Sequence, residues 1–331
     1  MSDHGFRLRA YAPGDESAIQ RAFAEVFRTG RSLAEWRWKF LEPPRGSRIL
    51  LAFDGDGELA CQYAAITVDA VWGGEPMPAA QIVDVFSRRR RALGPRGGPF
   101  QSTMERFLAE CAGADGAAPV GFVYGFPGER HQRAGAATGH YFEPATLVRL
   151  QRASAPVRSR FPARSWISAR SWISEGFDAH ATDRLWLRSR DRYPCATVRD
   201  AAWFRWRYER RPGGRYLQLG VRRAGETRAW AVLASGGEVA HWVDLVWDGE
   251  RPADLADLAA AVSERARDRG ATAVDLWLRG DGEAASVLLG EGFASLPEPV
   301  LRLSAIAFDR RVTVPQVLGS FYLTMGDSDH F

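Results

Sequence analysis

Residues 80–111 join a short apolar run, a basic loop and an amphipathic helix pattern, in that order. Residues 82–86 are apolar apart from one aspartate and are bounded by polar residues, which predicts a buried strand. Four arginines and a loop with three glycines follow, and a helix pattern begins at Pro99. Glycine backbone, guanidinium groups and a helix N-terminus together favour an anion. The stretch therefore predicts a pyrophosphate cradle, and a solvated strand-to-helix turn is the alternative.

The loop lacks two well-defined phosphate motifs, because no G-x-G-x-x-G follows the strand and no G-K-[ST] is present. It resembles the acyl-CoA loop of the GNAT superfamily of N-acetyltransferases, in which Arg/Gln-x-x-Gly-x-Gly/Ala lies between a strand and a helix. Residues 91–96 match the first half of that pattern, and two further glycines arrive later. The resemblance implies acyl-CoA as co-substrate. It assigns acyl-CoA binding to Val85, Phe86, Arg91, Gly94, Arg96, Gly97, Gly98 and Phe100.

The first 150 residues give strand and helix patterns in the order β-α-α-β-β-β-α-β-α-β. This order also resembles the GNAT fold, in which the pantetheine arm of acyl-CoA lies between two strands that splay apart. The corresponding strands here are 80–87 and 118–125.

The second half of the chain repeats features of the first half. Three short segments recur in the same order, around Trp38 and Trp206, around Asp84 and Asp244, and around Phe142 and Phe293. The spacing shrinks slowly along the chain, as expected of a duplicated fold with shortened loops. We therefore expect an α/β (α+β) chain of two tandem GNAT-like domains, each a mixed, mostly antiparallel sheet flanked by helices. The predicted divisions are an N-terminal GNAT domain with the acyl-CoA loop at 1–150, a connector at 151–177 and a C-terminal GNAT-like domain at 178–331.

The two copies differ at the predicted cradle. In the second copy the strand is followed by Trp247, Asp248, Gly249 and Glu250, with one glycine and no basic run. An acidic loop repels phosphate. We therefore expect the second domain to lack an acyl-CoA site.

Acyl transfer to an amine needs a base for the incoming ammonium and an acid for the leaving thiolate. Asp84, in the middle of an apolar strand, is the leading base candidate, although its counterpart Asp244 favours a structural role equally. Tyr141 lies near the place of the catalytic tyrosine in GNAT enzymes, which implies the acid; a core aromatic residue is the alternative, and Tyr124 is a weaker rival. Lys39, the only lysine, corresponds to Arg207, which favours a structural cation.

The tail at 326–331 carries Asp327, Asp329, His330 and the terminal carboxylate. It follows alternating aromatic and apolar residues at 321–325, which predict an ordered strand. Such a cluster can accept a proton from an ammonium or hold it. The enhanced-intracellular-survival type of acetyltransferase, also built on tandem GNAT domains, resembles this chain in using its end in the active site. A solvated acidic tail is the alternative.

The composition argues against several other classes of protein. With 46% hydrophobic and 25% charged residues, the chain is typical of soluble globular proteins, and no apolar run is long enough for a membrane span. A net charge of +4 is small for a nucleic-acid-binding module. Three cysteines form no disulfide framework and six histidines no metal-ligand spacing, which predicts a cytoplasmic chain without a metal.

These patterns together predict an acyl-CoA-dependent N-acetyltransferase that moves an acetyl or other acyl group to an amine of a small molecule or peptide. One alternative is a transferase that uses a long-chain acyl group or one carried by a carrier protein or tRNA. The other is a non-catalytic protein that binds CoA or a partner. The acceptor and the oligomeric state stay open.

Overall fold

The computed structural model describes residues 6–88, 98–128, 145–153, 171–296 and 302–329. Within them the chain forms two mixed β-sheets flanked by helices. The strands are β1 (Arg7–Ala10), β2 (Ser47–Phe53), β3 (Leu59–Trp72), β4 (Glu75–Ser87), β5 (Phe122–Gly125), β6 (Ala145–Thr146), β7 (Val148–Ala153), β8 (Ser171–Glu175), β9 (Cys195–Thr197), β10 (Tyr216–Arg223), β11 (Glu226–Ala234), β12 (Val239–Trp247), β13 (Ala273–Leu278), β14 (Ala294–Ser295), β15 (Arg302–Ala307) and β16 (Phe321–Tyr322). The α-helices are α1 (Glu16–Phe27), α2 (Leu33–Leu41), α3 (Pro99–Cys111), α4 (Ala179–Ser189), α5 (Ala201–Phe204), α6 (Pro252–Asp268), α7 (Glu283–Gly290) and α8 (Val314–Ser320).

The two sheets repeat one topology. The first sheet has the order β1-β2-β3-β4-β5-β15-β6, and β9 pairs with both β3 and β16 beside it. The second has the order β14-β7-β13-β12-β11-β10-β8. Each sheet is antiparallel except for one central parallel pair, β4 with β5 and β12 with β13, and the β9 pair with β16. The predicted fold class, two tandem GNAT-like domains with mixed sheets and flanking helices, is confirmed.

Each half of the chain contributes strands to the sheet of the other half, and β15 and β7 do so at matching places. β15, from the C-terminal part of the chain, pairs with β5 of the first sheet. β7, from the N-terminal part, pairs with β13 of the second sheet in the matching place. Each sheet therefore draws strands from both sides of the predicted boundaries at 150 and 178, and neither sheet is complete without the other half of the sequence.

A shared apolar core joins the two halves. The outer faces of the sheets form separate cores beneath α3 and α6. Between the sheets lies a third core that combines residues of both halves. At its centre Trp38 and Trp206 stack with ring centroids 5.6 Å apart. Each indole N–H donates to the backbone carbonyl of the other residue, at 2.6 and 2.9 Å, which relates the halves by approximate two-fold symmetry.

α2 and α5, the helices at this tryptophan pair, begin with the same kind of side-chain N-cap. Ser32 accepts a hydrogen bond from the backbone N–H of Glu35 at 3.0 Å and caps α2. Asp200 accepts from the backbone N–H of Trp203 at 2.8 Å and caps α5. Such caps satisfy N–H groups that have no partner within the helix. The duplication read from the sequence therefore extends to the helix caps.

Candidate active site

β4 and β5 pair over a short distance and then part. Their parallel register runs from Ala79 opposite Phe122 to Ile82 opposite Gly125, while β4 continues to Ser87. A Cβ on Gly125 would lie 3.1 Å from the Cβ of Ile82, so glycine permits a close approach of the strands at the last paired position. The pairing therefore ends within the two strands that the sequence predicts to splay apart.

α3 is the next helix that the structure describes after β4. Gly98 occupies the N-cap with φ −72° and ψ 163°, and Pro99 is the first helical residue. The first turn of α3 carries no acidic residue, so its N–H groups that have no partner within the helix and the helix dipole favour a negatively charged group. Gln81, one residue before the parting point, is buried, and its Nε2 has no hydrogen-bond partner among the described residues. These features fit the phosphates and the amide-rich arm of CoA.

β4 contains a bulge at Asp84. Its register against β3 shifts between Gln62 and Ala64, and Asp84 has φ 50°, in the left-handed region. Few residues other than glycine adopt this conformation, and aspartate is among those that tolerate it best. The side-chain amide of Gln62 donates to the Asp84 carbonyl at 3.0 Å and supports the bulge. Bulges re-aim side chains beside functional sites, and this one turns the Asp84 carboxylate toward α1 and α2.

Two cations and a second carboxylate surround Asp84. Arg31, from the α1–α2 loop, forms an ion pair with one carboxylate oxygen. Lys39 Nζ lies 2.6 Å from the other oxygen and 2.8 Å from a carboxylate oxygen of Asp329. Burial alone would lower the pKa of Lys39, but the charges of Asp329 and Asp84 together raise it. Lys39 therefore stays charged and links the tail to β4.

This Asp84 cluster (Arg31, Lys39, Asp84 and Asp329) is nearly closed to solvent, and the exposed fraction of its side chains rises from Asp84 to Asp329. The side chains of Asp84 and Arg31 are 5% and 6% exposed, Lys39 is 10% exposed and Asp329 is 24% exposed. The Arg31 guanidinium also covers the Phe23 ring at 4.0 Å. Asp329 is thus the most exposed carboxylate of the cluster.

The second half contains a matching group, the Asp244 cluster, made of Arg199, Arg207, Tyr208 and Asp244. Trp38 and Trp206 are 168 residues apart, and the same separation relates Arg31 to Arg199 and Lys39 to Arg207. Arg199 Nε donates to Asp244 at 2.8 Å, and the Tyr208 hydroxyl donates to the other oxygen at 2.7 Å. Asp244 and Arg199 have no exposed side-chain surface.

The C-terminal tail passes from the Asp244 cluster to the Asp84 cluster. The Thr324 hydroxyl donates to Asp244 at 2.9 Å, and Asp327 forms an ion pair with Arg199. Two residues further on, Asp329 reaches Lys39. Burial raises the pKa of the Asp327 carboxyl, and the positive charge of Arg199 opposes that rise.

Tyr124 lies on β5 one residue before the parting point, and its side chain is fully buried. Burial raises the pKa of Tyr124, and the negative charge of Asp327 adds to the rise. The ring packs edge-on against Phe321 with centroids 4.8 Å apart. The inner face of the sheet at the parting point is therefore filled by aromatic side chains.

Some of the predicted site residues lie among the described residues, and others do not. Among the described ones, Asp84 and Asp329 come together, Asp327 belongs to the buried network behind them, and Gly98 starts α3. Phe86 is buried near Phe27, whereas Val85 and Phe100 pack on the α3 side of the sheet. Tyr141, Arg91, Gly94, Arg96 and Gly97 lie outside the described residues. Sequence reasoning missed Arg31 and Arg199, although each directly precedes a helix cap at the same place in the repeat.

Comparisons with known proteins agree with this geometry. A family model described as "Acetyltransferase (GNAT) domain" matches residues 7–136. A search of curated proteins gave no match to this sequence. The match assigns residues 7–136 to a GNAT acetyltransferase domain, and the second sheet repeats the GNAT-like topology of the first. The family supports N-acyltransferase activity with acyl-CoA as co-substrate.

Solved structures share the fold at low sequence identity. A probable N-acyltransferase of unknown function from Enterococcus faecalis V583 has 12% identity and a TM-score of 0.71, with 92% of this chain and 73% of that chain covered. A GCN5-related N-acetyltransferase from Kribbella flavida has 15% identity and a TM-score of 0.65, covering 92% and 71%. N-myristoyltransferase from Saccharomyces cerevisiae, solved with myristoyl-CoA and inhibitors, has 10% identity and a TM-score of 0.55, covering 93% and 80%.

The described residues contain no helix that is both long and apolar enough to cross a membrane. They also contain no group of three or more histidine, cysteine, aspartate or glutamate residues placed to hold a metal ion.

Proposed function

We propose that this chain transfers an acetyl group from acetyl-CoA to the amine of a small molecule or peptide, and that the reaction takes place in the first domain. The observation that carries the proposal is the parting of β4 and β5 together with the start of α3, the next described helix after β4, whose first turn has no acidic residue. The backbone N–H groups at the start of α3 would hold the CoA phosphates. The buried Gln81 amide would donate to the pantetheine arm.

The packing beside the parting point favours a short acyl group. Tyr124, Phe122 and Phe321 are fully buried there, and their rings contact one another edge-on or tilted. A long chain would have to displace these rings, which fill the inner face of the sheet. Acetyl is therefore the acyl group that we assign.

The Asp84 cluster supplies the acceptor side of the proposed site. We assign Asp329 to hold the incoming ammonium and to take its proton, because it is the most exposed carboxylate of the cluster. Lys39 and Arg31 compensate the charge of Asp84, so Asp84 acts by placing Lys39 rather than by accepting a proton. Tyr141 stays the proposed acid for the departing thiolate.

A single position tests the cradle. Gly98→Asp and Gly98→Asn place side chains of equal size at an N-cap whose backbone angles both residues adopt, and both cap helices well. The aspartate adds a negative charge where the phosphates would lie. We expect calorimetry to show acetyl-CoA binding to Gly98→Asn near the wild-type affinity, and binding to Gly98→Asp weaker by about tenfold or more.

Equal acetyl-CoA affinity in the two Gly98 variants would contradict the cradle. Release of free CoA in the presence of a panel of small amines and peptides, followed with a thiol reagent, then tests the transfer itself. A chain that binds acetyl-CoA and releases no CoA with any amine would overturn the proposed acetyl transfer.

A further inference from the structure

The C-terminal tail of the same chain fills the space beside the Asp244 cluster. In the first domain the matching cluster has graded access to solvent, whereas Arg199, Asp244 and Asp327 have no exposed side-chain surface. The residues that fill the space beside Asp244 are Thr324 to Ser328 of the tail. A ligand from solution would have to displace the tail to reach Asp244.

The tail is held through both side chains and backbone. Thr324 and Asp327 bond to Asp244 and Arg199 through their side chains. Arg207 donates to the backbone carbonyls of Gly326, at 3.0 Å, and Ser328. Asp327 also accepts from the backbone N–H of Thr324 at 2.9 Å, which closes the segment into a single turn. Bonds to backbone carbonyls fix the course of the chain as well as its charges.

Shape adds to these bonds at Gly326. A Cβ at this position would collide with the Tyr208 hydroxyl and lie 3.0 Å from an oxygen of Asp244. The tail backbone therefore approaches the cluster as closely as glycine permits. Asp329 follows three residues later, so little chain is left free between the anchored turn and Lys39.

We propose that the Asp244 cluster is an internal docking site for residues 324–328, and that docking holds Asp329 against Lys39. Arg199, Arg207, Tyr208 and Asp244 are positioning residues in this proposal, since they act on the proposed acceptor site through the tail. The docking itself is independent of the proposed function, whereas its effect on turnover rests on that function.

Docking is tested without any substrate. Ser328 is 1% exposed, so the thiol of a Ser328→Cys variant should be protected from a thiol reagent while the tail is docked. The three native cysteines are buried, and burial raises the pKa of each thiol, to about 12 for Cys61 and about 11 for Cys111, so all three react slowly at mildly alkaline pH. The thiol reagent then reports on position 328.

Gly326→Ala is the variant that should release the tail. In the Ser328→Cys background we expect the rate of thiol modification to rise about tenfold or more, because the added methyl group collides with the cluster. Gly319→Ala is the matched control: Gly319 lies in α8, is exposed, and has nothing within 4 Å of an added Cβ. A thiol at position 328 that reacts quickly without Gly326→Ala, or that stays protected with it in a folded chain, would overturn the docking site.

Arg207→Met is a second releasing variant that introduces no steric clash. It removes the bonds to the two tail carbonyls and leaves no buried acid without its cation. It should also expose the thiol introduced at position 328, so a folding failure of Gly326→Ala does not end the test. Near-ultraviolet circular dichroism confirms that each variant keeps its packed core.

The consequence for turnover is measured separately. Gly326→Ala should lower kcat by about tenfold to a hundredfold, because small misplacements of reacting groups are costly, and should leave the KM for acetyl-CoA unchanged. Removal of residues 327–331 should lower kcat as much, and adding Gly326→Ala to that truncation should change nothing further. A released tail with unchanged kcat would overturn the positioning role and leave the proposed acetyl transfer intact.

Discussion

The two halves of the molecule carry the same ionic set in the same place of a repeated fold, yet in different surroundings. Asp84 has Arg31 and Lys39 beside it, and Asp244 has Arg199 with Arg207 nearby. The first set keeps some access to solvent, whereas the second is fully buried beneath the tail. Both halves therefore keep the same ionic scaffold, and in the second half the tail fills the space beside it.

α3 and α6, which follow the central strands of the two sheets, differ in the charged residues at their N-termini. α3 begins at Gly98 without an acid in its first turn. α6 has Asp254 in its first turn, fully buried and paired with Arg223. Next to it, the Arg192 guanidinium occupies the space that a Cβ of Gly249 would take. At the start of α6, Asp254 and the Arg192 side chain lie where a phosphate would need free N–H groups. The start of α3 therefore favours a negative charge, and the start of α6 does not.

The largest difference between the clusters should appear on removal of the twin arginines. Arg199→Ala leaves Asp244 and Asp327 buried without their cation and should lower the free energy of unfolding by about 3–5 kcal/mol. Arg31→Ala leaves Asp84 with Lys39 and some solvent, so we expect a loss of about 1–3 kcal/mol. Urea unfolding of the two variants measures both losses, and equal losses would contradict the comparison.

A smaller effect is expected from Lys39→Met. The variant removes the link between Asp84 and Asp329 but keeps most of the side-chain volume. We expect kcat to fall about tenfold, which corresponds to about 1.4 kcal/mol, with the KM for acetyl-CoA unchanged because α3 is not touched. The control is Arg45→Met, which removes an exposed ion pair with Asp69 and should leave kcat at the wild-type value. A fall of KM and kcat together would place Lys39 elsewhere in the reaction.

The smallest effect concerns the second helix start. Because Asp254 and Arg192 close that region, titration should give about one acetyl-CoA bound per chain. Arg192→Ala removes the covering side chain but leaves Asp254 and the acidic loop, so the stoichiometry and affinity should stay unchanged. Two equivalent sites in either titration would show that the second domain binds acyl-CoA after all.

Most of the architecture follows from patterns in the sequence. The strand at 82–86, the helix from Pro99 and the duplication around Trp38 and Trp206 are all found, because periodicity, proline placement and local similarity act within short segments. The exchange of β7 and β15 could not be predicted. Pairing between distant strands leaves no local pattern, and each strand alternates equally well in either sheet.

The candidate site was partly predictable for the same reason. Asp84 and Asp329 stand out by their chemistry, and the structure brings both to Lys39. The bulge that turns Asp84 toward Arg31 and Lys39 depends on φ 50°. Aspartate tolerates this conformation, but an aspartate in the sequence does not by itself predict it. Arg31 and Arg199 were hidden among many arginines, and a closer alignment of the two repeats would have singled them out.

Each sheet contains a strand from the other half of the chain, so the order in which the strands are synthesised limits the order in which the sheets can be completed. A ribosome delivers β5 long before β15, so the edge of β5 stays open while most of the second half is made. Open strand edges invite pairing with other chains, and long-range strand pairing is slow. β15, β16 and the tail emerge after the rest of the second sheet, close the first sheet and bring Asp329 to Lys39. The proposed active site of the first domain is thus completed only after the second domain has been made.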